Sequence, residues 1–231
     1  MGTPVLVCGR AGRMARLVAA AVRDAADLDF AAHLDLRDGT ARDLADRLRA
    51  VPGGPPVVVD FTNRAATARL LAAAERTPCA LVIGTSGLTG ADHALLRRVA
   101  EHRAVVQEAN FSLALALVRR FVADLAGTLP SGWDAAVVDI HHAAKVDAPS
   151  ATALALSRAW GEHRGDAPIS SLRFGDAVSE HRLLAGGPAE QIDVGHRVND
   201  RSAFVPGVLA AIRFAGRAAP GRHALEEALC G

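Results

Sequence analysis

From Pro4 to Asn110 the chain alternates between short aliphatic runs and longer stretches with helical spacing, and this alternation constrains the fold more than any other feature. PVLVCG (4–9), DLDFAAHLD (27–35), PPVVVDFT (55–62), CALVIGTSG (79–87) and AVVQEAN (104–110) read as strands. Between them RMARLVAAAVRDA (13–25), GTARDLADRLRA (39–50), RAATARLLAAAER (64–76) and ADHALLRRVAEH (91–102) read as helices. Strand and helix in strict alternation imply right-handed crossovers and a parallel sheet covered on both faces, an α/β doubly wound architecture.

Past Asn110 the texture changes. FSLALALVRRFVADLAG (111–127) reads as a helix and WDAAVVDIHH (133–142) as a strand, while 169–198 holds short extended runs broken by glycines. Strands without long intervening helices predict a second, smaller α+β domain with a mixed or antiparallel sheet. RSAFVPGVLAAIRFAG (201–216) returns to helix. VPGGPP (51–56) is a loop, not a linker.

Composition excludes several classes. At 231 residues the chain can bury a sizeable core, and a net charge of +1 leaves no broad basic footprint for nucleic acid. Aromatic residues are only 4% and Tyr is absent, so base-stacking surfaces are not expected. No apolar run reaches bilayer length and the start lacks a leader pattern, so the expected location is cytoplasmic. Cys8, Cys79 and Cys230 form neither a disulfide framework nor a zinc motif, and Cys8 reads as a small core residue. There is no GxSxG elbow and no GxxxxGK[ST] loop.

The motifs fall at strand ends. CGRAGRMA (8–15) lies where the first strand meets the first helix, so Gly9 and Gly12 can shape a tight turn whose N–H groups and helix end face a pyrophosphate. Asp35 ends the second strand about 20 residues on, where an acid accepts ribose hydroxyls. Arg37 would instead attract a 2′-phosphate, which leaves NADH and NADPH both open. GTSG (84–87), EANFS (108–112) and DFTN (60–63) end three further strands on the same sheet edge, although Thr62 and Asn63 equally suit a helix N-cap.

One segment concentrates the remaining chemistry. DIHHAAKVDAPSATALAL (139–156) carries Lys145, the only lysine among 26 Lys and Arg. Arginine cannot release its proton near neutrality, so a lone lysine beside a histidine pair points to proton chemistry or anion docking. In a strand His141 and His142 face opposite ways, which argues against a shared metal. Ser150, Ala151 and Thr152 open a helix after Pro149, and their N–H groups and hydroxyls suit a carboxylate. Ser150 as a plain N-cap and His142 as a core imidazole are the structural alternatives.

GRAGRM, VVVDFT, VIGTSG, EANFS, HHAAKVDAPSATA and RSAFVPGVLAA, in this order over essentially the whole chain, resemble the 4-hydroxy-tetrahydrodipicolinate (dihydrodipicolinate) reductases. The resemblance implies a Rossmann-like cofactor domain from residues 1–111 plus 206–231, and a central domain at 112–205 that binds substrate and assembles a homotetramer. It implies NADPH or NADH as hydride source, a small anionic dicarboxylate substrate, and no resident metal. His141 would be the catalytic proton donor and Lys145 a second acid, with His142, Ser150, Ala151 and Thr152 holding substrate carboxylates. Gly9, Arg10, Ala11, Gly12, Arg13, Met14, Asp35, Arg37, Phe61, Gly84, Thr85, Ser86, Ala109, Asn110 and Phe111 would contact the cofactor. The chain departs from the family pattern at Ala15, Ser86, Glu108, Ala136, Asp139 and Ala151. Those departures leave open a relative acting on another cyclic imine or unsaturated amino acid, or a cofactor-binding sensor.

Overall fold

The computed structural model describes residues 2–37, 39–176 and 179–229, so the reading of Cys230 lies outside them. The chain divides into two compact units, residues 1–111 with 204–231 and residues 112–203.

The first unit is built on six parallel strands: β1 (Thr3–Cys8), β2 (Leu28–Leu34), β3 (Val57–Asp60), β4 (Ala80–Ile83), β5 (Ala104–Gln107) and β10 (Gly221–His223). Their spatial order is β10-β5-β4-β3-β1-β2. Helices α1 (Arg13–Asp24), α2 (Ala41–Arg49), α3 (Arg64–Ala74), α4 (Gly90–Ala100) and α7 (Val205–Ala215) belong to it. Central strands are buried along their length, from Val5 to Cys8 and from Val57 to Asp60, because helices cover both faces. Helix α1 buries Ala15, Val18, Ala19 and Val22, a stripe at helical spacing. The order in which successive strands are added reverses between β1 and β3, and ligands of open parallel sheets bind at such a switch point.

Strand β10 was not legible in the sequence. Its three residues, Gly-Arg-His, carry no aliphatic pattern, and only the register of Gly221 to Ala104 makes them a strand.

In the second unit β6 (Asp134–His141), β7 (Ile169–Arg173), β8 (Ser179–Gly186) and β9 (Gln191–Val198) form a sheet of order β7-β6-β8-β9. Strands β6 and β7 are parallel and the other pairs antiparallel. Helices α5 (Leu113–Thr128) and α6 (Ala151–Gly161) pack with the sheet into one core of Leu115, Val122, Val137, Leu156, Trp160 and Leu183.

Strand alternation gives this sheet one buried face, and that face changes character along its length. Ala135, Val137, Leu183 and Ala185 are apolar; further along come Asp139, His141, Ser179 and His181, all buried. Register places Asp139 opposite His181, and His181 opposite His196. Both helices begin at serine N-caps here: Ser112 meets His196, and Ser150 meets Asp139.

Candidate active site

In the first unit a cavity of about 580 Å³ opens beyond the carboxyl ends of β1, β2 and β3. Gly9, Arg10, Ala11, Gly12, Asp35, Arg37 and Phe61 line it, joined by His33, Thr62 and Asn63. Gly9 has φ +74°, a left-handed turn that other residues adopt at a cost of roughly 1–2 kcal/mol. Its carbonyl accepts from His33 Nδ1 at 2.8 Å, so that nitrogen carries the ring proton. Gly12 caps α1 with no side-chain hydrogen bond, which leaves the first-turn amides to an anion.

Asp35 and Arg37 do meet, but as a mutual pair. Arg37 donates through Nε and NH2 to both Asp35 oxygens, at 2.6 to 3.2 Å. These bonds and the Arg37 amide hold the Asp35 carboxyl well below the usual carboxylate range. The ends of DFTN resolve toward capping: Asn63 accepts from Ala66 N–H, and Thr62 bonds the buried Asp60.

Arg13, Met14, Gly84, Thr85, Ser86, Ala109, Asn110 and Phe111 do not line the cavity. Two of them shape it through Phe61. A Cβ on Gly84 would stand 2.0 Å from Phe61 Cε1, and Phe111 packs edge-on against the same ring at 5.3 Å. Gly84 is therefore the slot that seats a cavity-lining ring. The buried Thr85 hydroxyl has no hydrogen-bond partner among the described residues, an orphan expected where a ligand completes the set. A dinucleotide fits the cavity's combination of a left-handed glycine turn and open helix amides.

In the second unit His141 ends β6, 6% exposed, and His142 follows outside the strand, half-buried. Lys145 returns across a turn closed by its amide to the His142 carbonyl, near enough to His141 to depress its pKa. Lys145 Nζ is paired with Asp147 at 2.8 Å, a partner the sequence did not reveal. Burial, followed by the opposing pull of Asp139 and the repulsion of His181, Lys145 and Arg173, leaves His141 lowered to about 4.

The expected carboxylate cradle is occupied from within. Ser150 donates its N–H at 2.9 Å and its hydroxyl at 2.8 Å to Asp139, and caps α6 by accepting from Ala153 N–H. Ser150 is thus an N-cap bound to the protein's own carboxylate, while Ala151 and Thr152 form the first turn behind it. The sequence missed this because the bond spans strand and helix, 11 residues apart.

Asp139, noted only as a departure, is the hub. It is fully buried and also accepts from Ser171 Oγ at 3.0 Å and Arg173 NH2 at 2.9 Å. Burial raises its pKa, but hydrogen bonds from His181, Arg173 and Ser150 outweigh that and hold it far below the usual range. Asp139, His141 and His181 bring one ligand-type atom each within 4.8 Å of one another, a metal-like spacing. The Arg173 guanidinium already supplies a cation on that carboxylate. His181, His196 and Arg173 carried no motif of their own; only strand register gathers them.

Comparison with known proteins gives one consistent result. Residues 3–111 match the family "Dihydrodipicolinate reductase, N-terminus", and residues 114–229 match "Dihydrodipicolinate reductase, C-terminus". The chain is 32% identical to the 4-hydroxy-tetrahydrodipicolinate reductase of Rhodopseudomonas palustris strain BisA53, covering 97% of this chain and 96% of that one. It is also 32% identical to the enzyme of that name from Alkalilimnicola ehrlichii, covering 99% of each. Among solved structures, the dipicolinate-bound dihydrodipicolinate reductase from Paenisporosarcina sp. TG-14 has the same fold, with TM-score 0.76, 21% identity and coverage of 97% and 98%. The chain belongs to the dihydrodipicolinate reductase family.

Proposed function

We propose that this protein reduces 4-hydroxy-tetrahydrodipicolinate to tetrahydrodipicolinate with NADPH or NADH, a step of lysine and diaminopimelate biosynthesis. The net change replaces a ring hydroxyl by hydrogen, with water released. The carrying observation is that the chain matches the family over both units, with His141 and Lys145 brought together by a turn closed from the Lys145 amide to the His142 carbonyl.

Bound NAD(P)H supplies the hydride. The Gly9 turn and the amides opening α1 would hold its pyrophosphate, with Asp35 and Arg37 at the ribose. Both nucleotides suit that pair: ribose hydroxyls take up Asp35, and a 2′-phosphate takes up Arg37 in its place.

In the second unit His142 and the amides of Ala151 and Thr152 would receive the substrate carboxylates, Lys145 would stand by His141 as a second acid, and Ser150 positions that turn through Asp139. His141 is neutral near pH 7 in the free protein. A dianion beside it favours the imidazolium, so substrate binding itself loads the donor. A homotetramer assembled through the outer face of the β6–β9 sheet is part of the proposal, supported by Leu172 and Leu184 at 46% and 41% exposure there. Action in the cytoplasm belongs to the same proposal; among the described residues no helix is long and apolar enough to cross a membrane.

Oxidation of NADPH and of NADH, followed on freshly generated 4-hydroxy-tetrahydrodipicolinate, tests the proposal. Turnover with either cofactor is expected. Nucleotide binding without turnover on this substrate defeats it.

A further inference from the structure

The two oxygens of Asp139 are used differently. Oδ2 accepts three donors, from Ser150 N–H, Ser171 Oγ and Arg173 NH2, and a carboxylate oxygen offers about two lone pairs. Oδ1 accepts the Ser150 hydroxyl and faces two imidazoles, with His181 Nε2 at 3.4 Å and His141 Nδ1 at 2.9 Å. His181 Nε2 also lies 3.1 Å from Ser150 Oγ, whose own proton goes to Asp139. Nε2 of His181 therefore carries a proton and donates into this group. The nearer partner of that proton is Ser150 Oγ, and at 3.4 Å His181 approaches Oδ1 less closely than His141 Nδ1 does at 2.9 Å, so Oδ1 stays open toward His141.

His141 Nδ1 is buried and makes no hydrogen bond among the described residues, although it stands at hydrogen-bond distance from that oxygen, because the ring is turned out of line. Such an orphan is rare in a packed interior, and turning the ring into line with Oδ1 would satisfy it. The surroundings leave few other options for a proton. Arg173 from β7, His181 from β8 and Lys145 from the following loop all oppose positive charge on His141; His196 on β9 lies beyond His181, and Asp147 is taken by Lys145. Among the charged groups acting on this ring, Asp139 draws a proton to it while His181, Lys145 and Arg173 oppose one.

We infer that Asp139 is the positioning residue of the proton donor: Oδ1 selects Nδ1 as the nitrogen of His141 that keeps its proton, and so assigns Nε2 as the nitrogen that gives one up. This rests on the reading of His141 as donor. In the step, the Nε2–H bond of the imidazolium breaks, its electron pair stays on Nε2, and the proton passes to substrate. The ring is left as the neutral Nδ1–H form, bonded to Oδ1, and a solvent proton later restores Nε2–H. The same carboxylate holds Ser150, so one buried charge would orient both the donor and the turn that opens α6.

The test uses Asp139→Asn. Three donors converge on the Oδ2 side, so the amide oxygen settles there and the NH2 group replaces Oδ1. Nδ1 of His141 must then accept, and the neutral ring switches to the Nε2–H form. Nitrogen-15 NMR of the histidine rings at pH 7, assigned with a His141→Gln control, reads the tautomer directly without turnover. The expected result is Nδ1–H in the wild type and Nε2–H in Asp139→Asn, accompanied by a loss of kcat of roughly 10²-fold or more with the KM for NADPH unchanged. An identical tautomer in both proteins overturns the inference. If Asp139→Asn does not fold, the wild-type spectrum decides by itself, since Nε2–H there is equally fatal. His141→Ala separates the two levels: normal turnover in it removes the donor reading, whereas a dead His141→Ala with an unchanged tautomer in Asp139→Asn removes only the role of Asp139.

Discussion

The cavity of the first unit and the polar end of the second unit's sheet solve opposite problems. The cavity offers backbone amides and a few exposed side chains; its ion pair, Asp35 with Arg37, lies at the surface with side chains 39% and 85% exposed. The polar end buries its charge instead, with Asp139 inaccessible and Arg173 15% exposed. Exposed pairs are solvated with or without their partner, whereas a buried charge stripped of its partner has no water to fall back on. Changes in the cavity should therefore act on ligand affinity, and changes around Asp139 on folding and on proton delivery.

The largest effect should come from the residues proposed to handle the proton. His141→Ala and Lys145→Ala are each expected to lower kcat by about 10² to 10⁴, with the KM for NADPH nearly unchanged, in steady-state assays. Equal loss of cofactor affinity would break the division between the two units.

Next in size, Arg173→Met should cost about 3–5 kcal/mol in urea denaturation, because it leaves the Asp139 carboxylate underpaired. Gly84→Ala sharpens the other side: its Cβ displaces the Phe61 ring, at an overpacking cost of about 1–3 kcal/mol. A raised KM for the dinucleotide should accompany it, and an unchanged KM would detach Phe61 from the cofactor.

A smaller, pH-dependent effect follows from His141. Its native pKa of about 4 lies below the ordinary value of 6.5, so between those limits the unfolded chain binds more protons than the folded one. Stability then falls as pH drops through that window. The variant His141→Gln should lose less over the same range, as followed by denaturation at a series of pH values; parallel curves would refute the assignment. Smallest of all, Arg37→Ala should change stability by less than about 1 kcal/mol. Its effect should be confined to a lower preference for NADPH over NADH.

The legibility of the two regions differs for the same reason. Gly9, Gly12, Asp35 and Phe61 were readable because each sits one or a few residues past a strand that the aliphatic runs announce, and parallel sheets gather such ends by rule. His33 escaped because its role, donating to the Gly9 carbonyl, crosses from β2 to the first turn. Ser150 reads in the sequence as helix-opening, either as a plain N-cap or toward a substrate carboxylate; that its N–H and hydroxyl go to Asp139 shows only in the structure. Asp147, Arg173, His181 and His196 had no local signature at all.

Periodicity, a property of short windows, sufficed for the α/β alternation and the mixed second sheet. Tertiary structure alone decided that β10 closes the sheet edge, that Asp35 and Arg37 pair with each other, and that β6, β7, β8 and α6 converge on one buried carboxylate. Strand register is set by the packing of a whole face. A shift of one residue would send Asp139 and His181 to opposite sides of the sheet without altering any local pattern.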